Sequence, residues 1–378
     1  MGLHSQAAIG VILGDVVTLA PGIGGWLRAL APRRATAARP PRAEGKQRQS
    51  RARCGMLAPG ADARLEEATV IRRVLLSLSR SEQARDVVAA APISRSVVKR
   101  FIAGESAADA VLTTADLIGS GRLVTIDHLG EDVTELGQAE ATRDAYVTLL
   151  GLLDEAGLTQ GAEVSVKLSA VGQALPGDGE KIALDHAREI CQAADAAGTT
   201  VTLDMEDHTT TDSTLGILRE LRADFPQTGA VLQAYLYRTE ADCLDLAHAG
   251  SRVRLCKGAY KEPPAVAFQD KADVDKAYVR CLKVLMAGEG YPMVASHDPR
   301  LIDIAGALAV RHDRAKGTYE YQMLHGVRPD EQRRLAADGE KMRVYVPYGD
   351  DWWGYMVRRM AEKPANLALF LKSLSSTS

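Results

Sequence analysis

Residues 121–378 predict a (β/α)8 barrel, α/β in class and TIM-like, preceded by a small N-terminal helical region. Eight short runs rich in β-branched residues recur from Leu123 onward, and amphipathic segments separate them. Strands alternating with helices imply parallel pairing with right-handed crossovers. Eight such units in roughly 250 residues is the usual size of a closed barrel. A doubly wound open sheet is the competing fold, but no GxGxxG follows an early strand.

In chain order, residues 1–55 stand apart. They hold nine of the 46 Lys/Arg residues and two acids, Asp15 and Glu44, leaving 37 basic and 47 acidic residues in the remainder. Residues 7–30 are apolar, but Asp15, Pro21 and several glycines interrupt them, which makes a poor spanning helix. No basic residue precedes the apolar run, as a signal peptide would require. Residues 28–53 are an Ala/Pro/Arg/Gln tract with too few large apolar side chains for a core. The segment reads as a disordered basic leader, an over-extended start ahead of Met56; a membrane or nucleic-acid tether is the alternative. Residues 56–120 are helical in pattern (65–78, 81–90, 94–102 and 107–119) and form the second region, packed against the barrel.

The expected strands are 123–128, 163–170, 200–206, 230–236, 252–259, 292–297, 319–324 and 343–347. The clearest helices between them are 140–156, 181–197, 212–223, 265–287 and 299–311, with a last one at 351–371. The net charge of −3 gives no general reason to expect a nucleic-acid partner. Cys54, Cys191, Cys243, Cys256 and Cys281 are odd in number, widely spaced and contain no CxxC. They read as reduced thiols of a cytoplasmic protein.

Active sites of such barrels form at the C-terminal ends of the strands, and those ends are polar here. Ser165, Lys167 and Ser169 alternate with apolar residues on the second strand; Thr202, Asp204 and Glu206 do so on the third. Gln233 and Tyr235, Arg254, Cys256 and Gly258, Ser296-His297-Asp298, and Arg343 and Tyr345 continue the pattern. In the last helix, Tyr355 shares a face with Arg358 and Arg359, and Glu362 lies one turn on. Two guanidinium forks beside a carboxylate suit bidentate capture of a carboxylate or phosphate. Taken alone, the same cluster also reads as a solvated face with an i,i+4 ion pair.

Two readings come from the residues alone. A metal-dependent hydrolase could use Asp127-His128, Asp204 to His208 and His297-Asp298 as ligands, although no HxH ends the first strand and no HExxH occurs. An anion-binding scaffold would explain Arg358 and Arg359 but not Lys167, Asp204, Arg254 and Tyr345 on other elements.

A third reading comes from resemblance. SVKLSA (165–170), LDMEDH (203–208), LQAYLYR (232–238), VRLCKGAY (253–260), ASHD (295–298), YEYQMLHG (319–326), RVYVPYG (343–349) and YMVRRMAE (355–362) resemble the proline dehydrogenase family, in order across 123–371. The stretch from Met56 is similar to the short lead of the actinobacterial, monofunctional type. The resemblance implies a distorted barrel binding FAD non-covalently. It implies oxidation of L-proline to Δ1-pyrroline-5-carboxylate, with hydride passing from C5 to flavin N5 and electrons going on to a membrane quinone. A cytoplasmic protein, peripheral at the inner face of the membrane, follows from that; its oligomeric state is left open. Methylenetetrahydrofolate reductase is the related FAD-barrel alternative.

By the same resemblance, Arg358 and Arg359 clamp the proline carboxylate, Lys167 adds a third positive charge and Glu362 orients the arginines. Tyr345 and Tyr355 line the substrate pocket with Leu324 as an apolar wall, and the Tyr345 phenol leaves little room for a 4-hydroxyl. Asp204 is expected to hold Lys167 or another pocket group in place. Arg254 is placed beside N5, with Met205 and Gln233 along the isoalloxazine. Lys257, Gly258 and Ala259 are assigned to the ribityl-pyrophosphate, and Ser296 and His297 contact the cofactor from the sixth strand. Glycine at 258 would let backbone approach phosphate closely.

Overall fold

The computed structural model describes residues 100–356, residue 132 excepted. Eight parallel strands close in sequence order into one barrel. They are β1 Leu123–His128, β2 Ala162–Val166, β3 Val201–Leu203, β4 Gly229–Gln233, β5 Arg252–Cys256, β6 Tyr291–Ala295, β7 Glu320–Leu324 and β8 Met342–Tyr348. The ring closes by pairing β8 with β1, Arg343 standing opposite Leu123 and Tyr345 opposite Thr125. The helices are α1 Ala107–Gly119, α2 Leu136–Glu155, α3 Gly179–Ala196, α4 Thr211–Asp224, α5 Thr239–Leu246, α6 Lys271–Ala287, α7 Pro299–Arg311 and α8 Pro329–Ala337.

Local chemistry sets the helix starts. Ser106 and Asp109 form a reciprocal capping box that opens α1. The Asp270 carboxylate accepts from the amides of Ala272 and Asp273, so α6 begins at Lys271 and not at 265 as the apolar pattern suggests. Asp298 caps α7, with Pro299 at the first helical position, where its missing N–H costs nothing.

Strands two to five end earlier than the β-branched runs imply. Beyond Val166 and Gln233 the backbone turns: Ala170 N donates to Lys167 O, and Leu236 N to Gln233 O. Lys167, Asp204, Tyr235 and the 257–259 segment therefore lie on the loops that leave the sheet. The segment before α1 borders the same rim, Ala103 N donating to Pro347 O and Gly349 N to Gly104 O, each at 3.0 Å.

The apolar core is a ring between sheet and helices. Val124, Ile126, Val164, Val166, Leu203, Leu255, Val344 and Val346 point outward from the strands onto Leu149, Leu153, Ile190, Leu221 and Leu282. Burying each such side chain contributes about 1.5–3 kcal/mol. The barrel interior is different: Glu163, Arg252, Arg254, Glu320 and Arg343 are all buried there.

Val98–Trp352 forms one compact unit, so α1 belongs with the barrel. The last described residues, 353–356, belong to a second unit and continue a helical turn begun at Trp352. Arg358, Arg359 and Glu362, the basic leader, the helices expected at 65–78 and 81–90, and all but the last three residues of that at 94–102 lie outside the described residues.

Candidate active site

Four residues singled out on the strands, Ser165, Asp204, Arg254 and Tyr345, meet directly. Asp204, the first residue after β3, accepts from Arg254 Nη1 at 2.7 Å and Ser165 Oγ at 2.8 Å through Oδ1. Its Oδ2 accepts from the Tyr345 hydroxyl at 2.6 Å. The Arg254 Cζ also lies 5.3 Å from the centroid of the Tyr345 ring, a cation–π approach. Burial, then the carboxylates of Asp127 and Asp204, push the Tyr345 phenol well above its ordinary range, so it stays protonated and donating.

Arg254 comes from inside β5 and is 3% exposed. Its Nε donates to Gln322 Oε1 at 2.6 Å and its Nη1 also reaches Ser165. Its Nη2 is buried and has no hydrogen-bond partner among the described residues; Glu163 Oε1 lies 3.8 Å away. A buried cationic donor without a hydrogen bond is costly; the Glu163 carboxylate beneath it supplies the counter-charge.

Lys167 meets Asp127. Its Nζ donates to both Asp127 oxygens, at 2.6 and 2.7 Å. Burial opposes the Lys167 ammonium, but Asp127, Asp204 and Glu131 outweigh it and hold its pKa above the ordinary lysine range. Burial pushes Asp127 up to about 6, with Lys167 opposing and Asp204 adding to the rise. At neutral pH both are ionised, so Lys167 is locally compensated and does not stand as a bare third cation. Asp204 holds Arg254, Tyr345 and Ser165; no direct Asp204–Lys167 bond forms.

The residues assigned to the cofactor occupy the same end of the barrel with their own commitments. Gln233, last in β4, donates to Glu206 O at 2.6 Å, and Met205 is buried. Ser296 Oγ accepts from Asp298 N, and His297 Nε2 accepts from Leu324 N at 3.0 Å, which places a neutral ring's proton on Nδ1. Lys257 pairs with Asp275 at 2.5 Å and Asp298 at 3.3 Å. Ala259 is exposed, and Gly258 has φ +113 with a Cβ position 2.3 Å from the Tyr235 ring. Tyr235 alone therefore requires glycine there. Leu324 ends β7 opposite Tyr345. Tyr355 is buried in the second unit.

The ligands considered for a metal are committed elsewhere: Asp127 to Lys167, Asp204 to Arg254, and His208 to Glu262 through its Nδ1. No cluster of His, Cys, Asp or Glu among the described residues could hold a metal ion.

Residue-by-residue reading missed Asp127 as the partner of Lys167, and Gln322, Glu320 and Glu163 beneath Arg254. The signal was present in part. Thr125 and Asp127 alternate with Val124 and Ile126, and Glu320 and Gln322 alternate with Tyr321 and Met323.

A family model described as proline dehydrogenase matches residues 110–370. The chain is 38% identical over 305 residues to proline dehydrogenase 1 of Bacillus subtilis (strain 168), covering 81% of this chain and 99% of that protein. It is 40% identical over 280 residues to proline dehydrogenase of Deinococcus radiodurans, covering 74% and 90%. Among solved structures, proline utilization A from Bdellovibrio bacteriovorus, inactivated by N-propargylglycine, superposes with a TM-score of 0.66. That match has 26% identity and covers 71% of this chain and 33% of the other.

Proposed function

Because the chain belongs to the proline dehydrogenase family and is an enzyme of proline oxidation, we propose the following chemistry for it. L-Proline loses hydride from C5 to a non-covalently bound FAD, giving Δ1-pyrroline-5-carboxylate, and the electrons pass to a membrane quinone. The observation that supports the reading is the Asp204–Arg254–Tyr345 cluster at the C-terminal end of the barrel of a proline dehydrogenase family member.

FAD, when bound, supplies the hydride acceptor; the residues of this chain orient and polarise. Arg254 is fixed through Nε and Nη1, and its guanidinium would supply positive charge near a bound flavin. Asp204 balances that charge and pins the Tyr345 hydroxyl, so the phenol ring stands at a set position beside Leu324. Arg358 and Arg359 clamp the substrate carboxylate as a bidentate pair, Glu362 orients them, and Tyr355 packs on the ring. With Lys167 compensated by Asp127, the two arginines are the main cations that lower the proline amine's pKa and favour its neutral, hydride-releasing form. Such positioning supplies up to roughly 7–11 kcal/mol of barrier reduction.

No helix among the described residues is long and apolar enough to cross a membrane. The quinone is reached peripherally and reversibly, from the cytoplasmic side.

The deciding experiment is an absorbance spectrum before and after anaerobic addition of L-proline. Bands near ~450 nm that bleach are expected. A colourless protein that takes up no added FAD overturns the cofactor assignment, and bound flavin that proline leaves oxidised overturns the hydride step.

Tyr345 sets substrate size in this reading. Tyr345→Ser removes the phenol and raises activity on 4-hydroxyproline relative to proline by about 10-fold or more, the scale of a reshaped pocket contact. Activity on proline falls by about 10-fold, since Asp204 Oδ2 loses its donor. Competition kinetics with both substrates check this; an unchanged ratio removes Tyr345 as the gate.

A further inference from the structure

The opposite end of the barrel, where the strands begin, is open and lined by cations. A cavity of about 790 Å³ is bounded by the loops that enter β5, β6, β7 and β8. A second, of about 400 Å³, enters at the starts of β2, β3 and β4, and Gln227, Arg252 and Arg343 line both.

Tyr291 is the hub of the larger cavity. It stands opposite Arg252 in the β5–β6 register, and its hydroxyl donates to Glu320 Oε2 at 3.1 Å. The other Glu320 oxygen accepts from Arg343 Nε at 2.7 Å. Burial and Glu320 raise the Tyr291 pKa while Arg343 and Arg252 oppose the rise, so both guanidiniums lie close to the phenol. Lys341 Nζ lies 5.4 Å from the centroid of the same ring. Lys341 and Arg343 are two residues apart at the start of β8, so strand alternation sets them on one side.

The cations here outrun their partners. Arg254 is met by Asp204, Arg252 by Glu163 and Arg343 by Glu320. Arg314 is met only by carbonyls, those of Leu285, Met286, Gly288, Gly290 and Thr318. Burial lowers its pKa, and no carboxylate lies close enough to restore it. Lys341 forms no ion pair among the described residues. The rim acids Glu289 and Asp313 are exposed, and neither acts on Arg314.

Donors are also left for a ligand. Arg343 Nη1 is taken by Val124 O, but Nη2 makes no hydrogen bond among the described residues and is not sealed from solvent. Lys341 offers its ammonium beside it. A guanidinium N–H and an ammonium on one wall suit an oxyanion, and the two cations without a carboxylate, Arg314 and Lys341, suit a double negative charge. The cavity is of the size that holds small ligands, so the anion can carry an organic group.

We propose that the strand-entry end of the barrel binds a phosphoryl dianion, free or as a small ester, through Arg343 and Lys341, with Arg314 adding charge and Tyr291 forming the wall. The site is separate from the cluster around Arg254 and does not depend on the FAD reading.

The test uses the full-length protein with excess FAD, so that any site for the cofactor's own phosphates is filled. Inorganic phosphate and methyl phosphate are each titrated calorimetrically at fixed ionic strength, with chloride as the reference anion. One-to-one saturation at about 1 mM or below is expected, and the tighter of the two shows whether the site takes the free ion or the ester. Lys341→Glu weakens binding about tenfold or more, because it sets a like charge against the ligand. Lys283→Glu makes the same change of net charge on an exposed position of α6 and leaves affinity within about twofold. The KM for proline stays parental in both, and phosphate does not compete with proline.

No saturation by either anion rejects the proposal. Equal losses in Lys341→Glu and Lys283→Glu also reject it, since they report net charge alone. Phosphate that raises the apparent KM for proline places the anion in the substrate pocket and rejects it too. If Lys341→Glu does not fold, Lys341→Gln decides: a loss of about threefold is expected, and parental affinity overturns the site.

Discussion

Arg254→Lys lowers kcat/KM for proline by about 10²–10³, the scale on which removing one preorganised donor at a reacting group costs an enzyme. The substitution keeps the charge but replaces a three-nitrogen fork with a single ammonium. In the parent, Nε meets Gln322, Nη1 meets Asp204 and Ser165, and Nη2 lies 3.8 Å from Glu163 Oε1. A lysine of shorter reach can satisfy Asp204 or Gln322 but cannot hold both while balancing Glu163. FAD content and steady-state kinetics are measured together. A loss confined to FAD content, with normal turnover per bound flavin, would falsify the role given to the Arg254 guanidinium. Asp204→Asn is the companion variant: it leaves Arg254 less balanced and the Tyr345 hydroxyl with a weaker acceptor, and produces a smaller fall.

Glu163→Gln destabilises the fold by about 3–5 kcal/mol, the cost of removing one partner from a buried ion network. Glu163 bonds to Arg252, accepts from Thr125 Oγ1 at 2.7 Å, and lies 3.8 Å from both Arg254 and Arg343. Burial by itself would raise its pKa, but Arg252, Arg343 and Arg254 together depress it from 4.5 to about 2. That difference corresponds to about 3 kcal/mol of stabilisation. For a carboxylate with a depressed folded-state pKa, the contribution is complete above the unfolded value and is lost as pH falls through the folded one. The parent therefore loses this stability between about pH 4.5 and 2, and the variant, having no carboxylate to protonate there, shows a flatter acid limb. Urea midpoints at pH 7 and along the acid limb measure both effects. Equal midpoints for parent and variant at pH 7 would remove Glu163 as the counter-charge of the barrel floor.

The residues that local pattern made legible are those whose role is written within a few positions of themselves. Strand β1 and helices α1 and α7 begin and end where the sequence places them, because β-branched runs, capping residues and Pro299 act locally. Helices α5 and α8 escaped. They are 8 and 9 residues long, and their buried positions include Thr239, Asp242 and Gln332 rather than an apolar stripe. The ends of β2 to β5 were overrun because polar alternation continues past the point where the backbone leaves the sheet.

The sequence by itself determined the closed eight-stranded architecture, the family, and the location of Lys167, Asp204, Arg254 and Tyr345 at one end of the barrel. Period-two alternation and the strand–helix rhythm suffice for the architecture and the strand ends, since both are properties of contiguous residues, and the resemblance of the motifs from 165 to 362 carries the family. Only the tertiary structure decided which of those side chains meet. Lys167 finds Asp127 from 40 residues away, and Arg254 finds Gln322 across 68. Those pairings depend on strand register and on which interior side chains face each other across the barrel. Charge balance in a closed, water-poor interior then selects among them, because every buried guanidinium must find acceptors there.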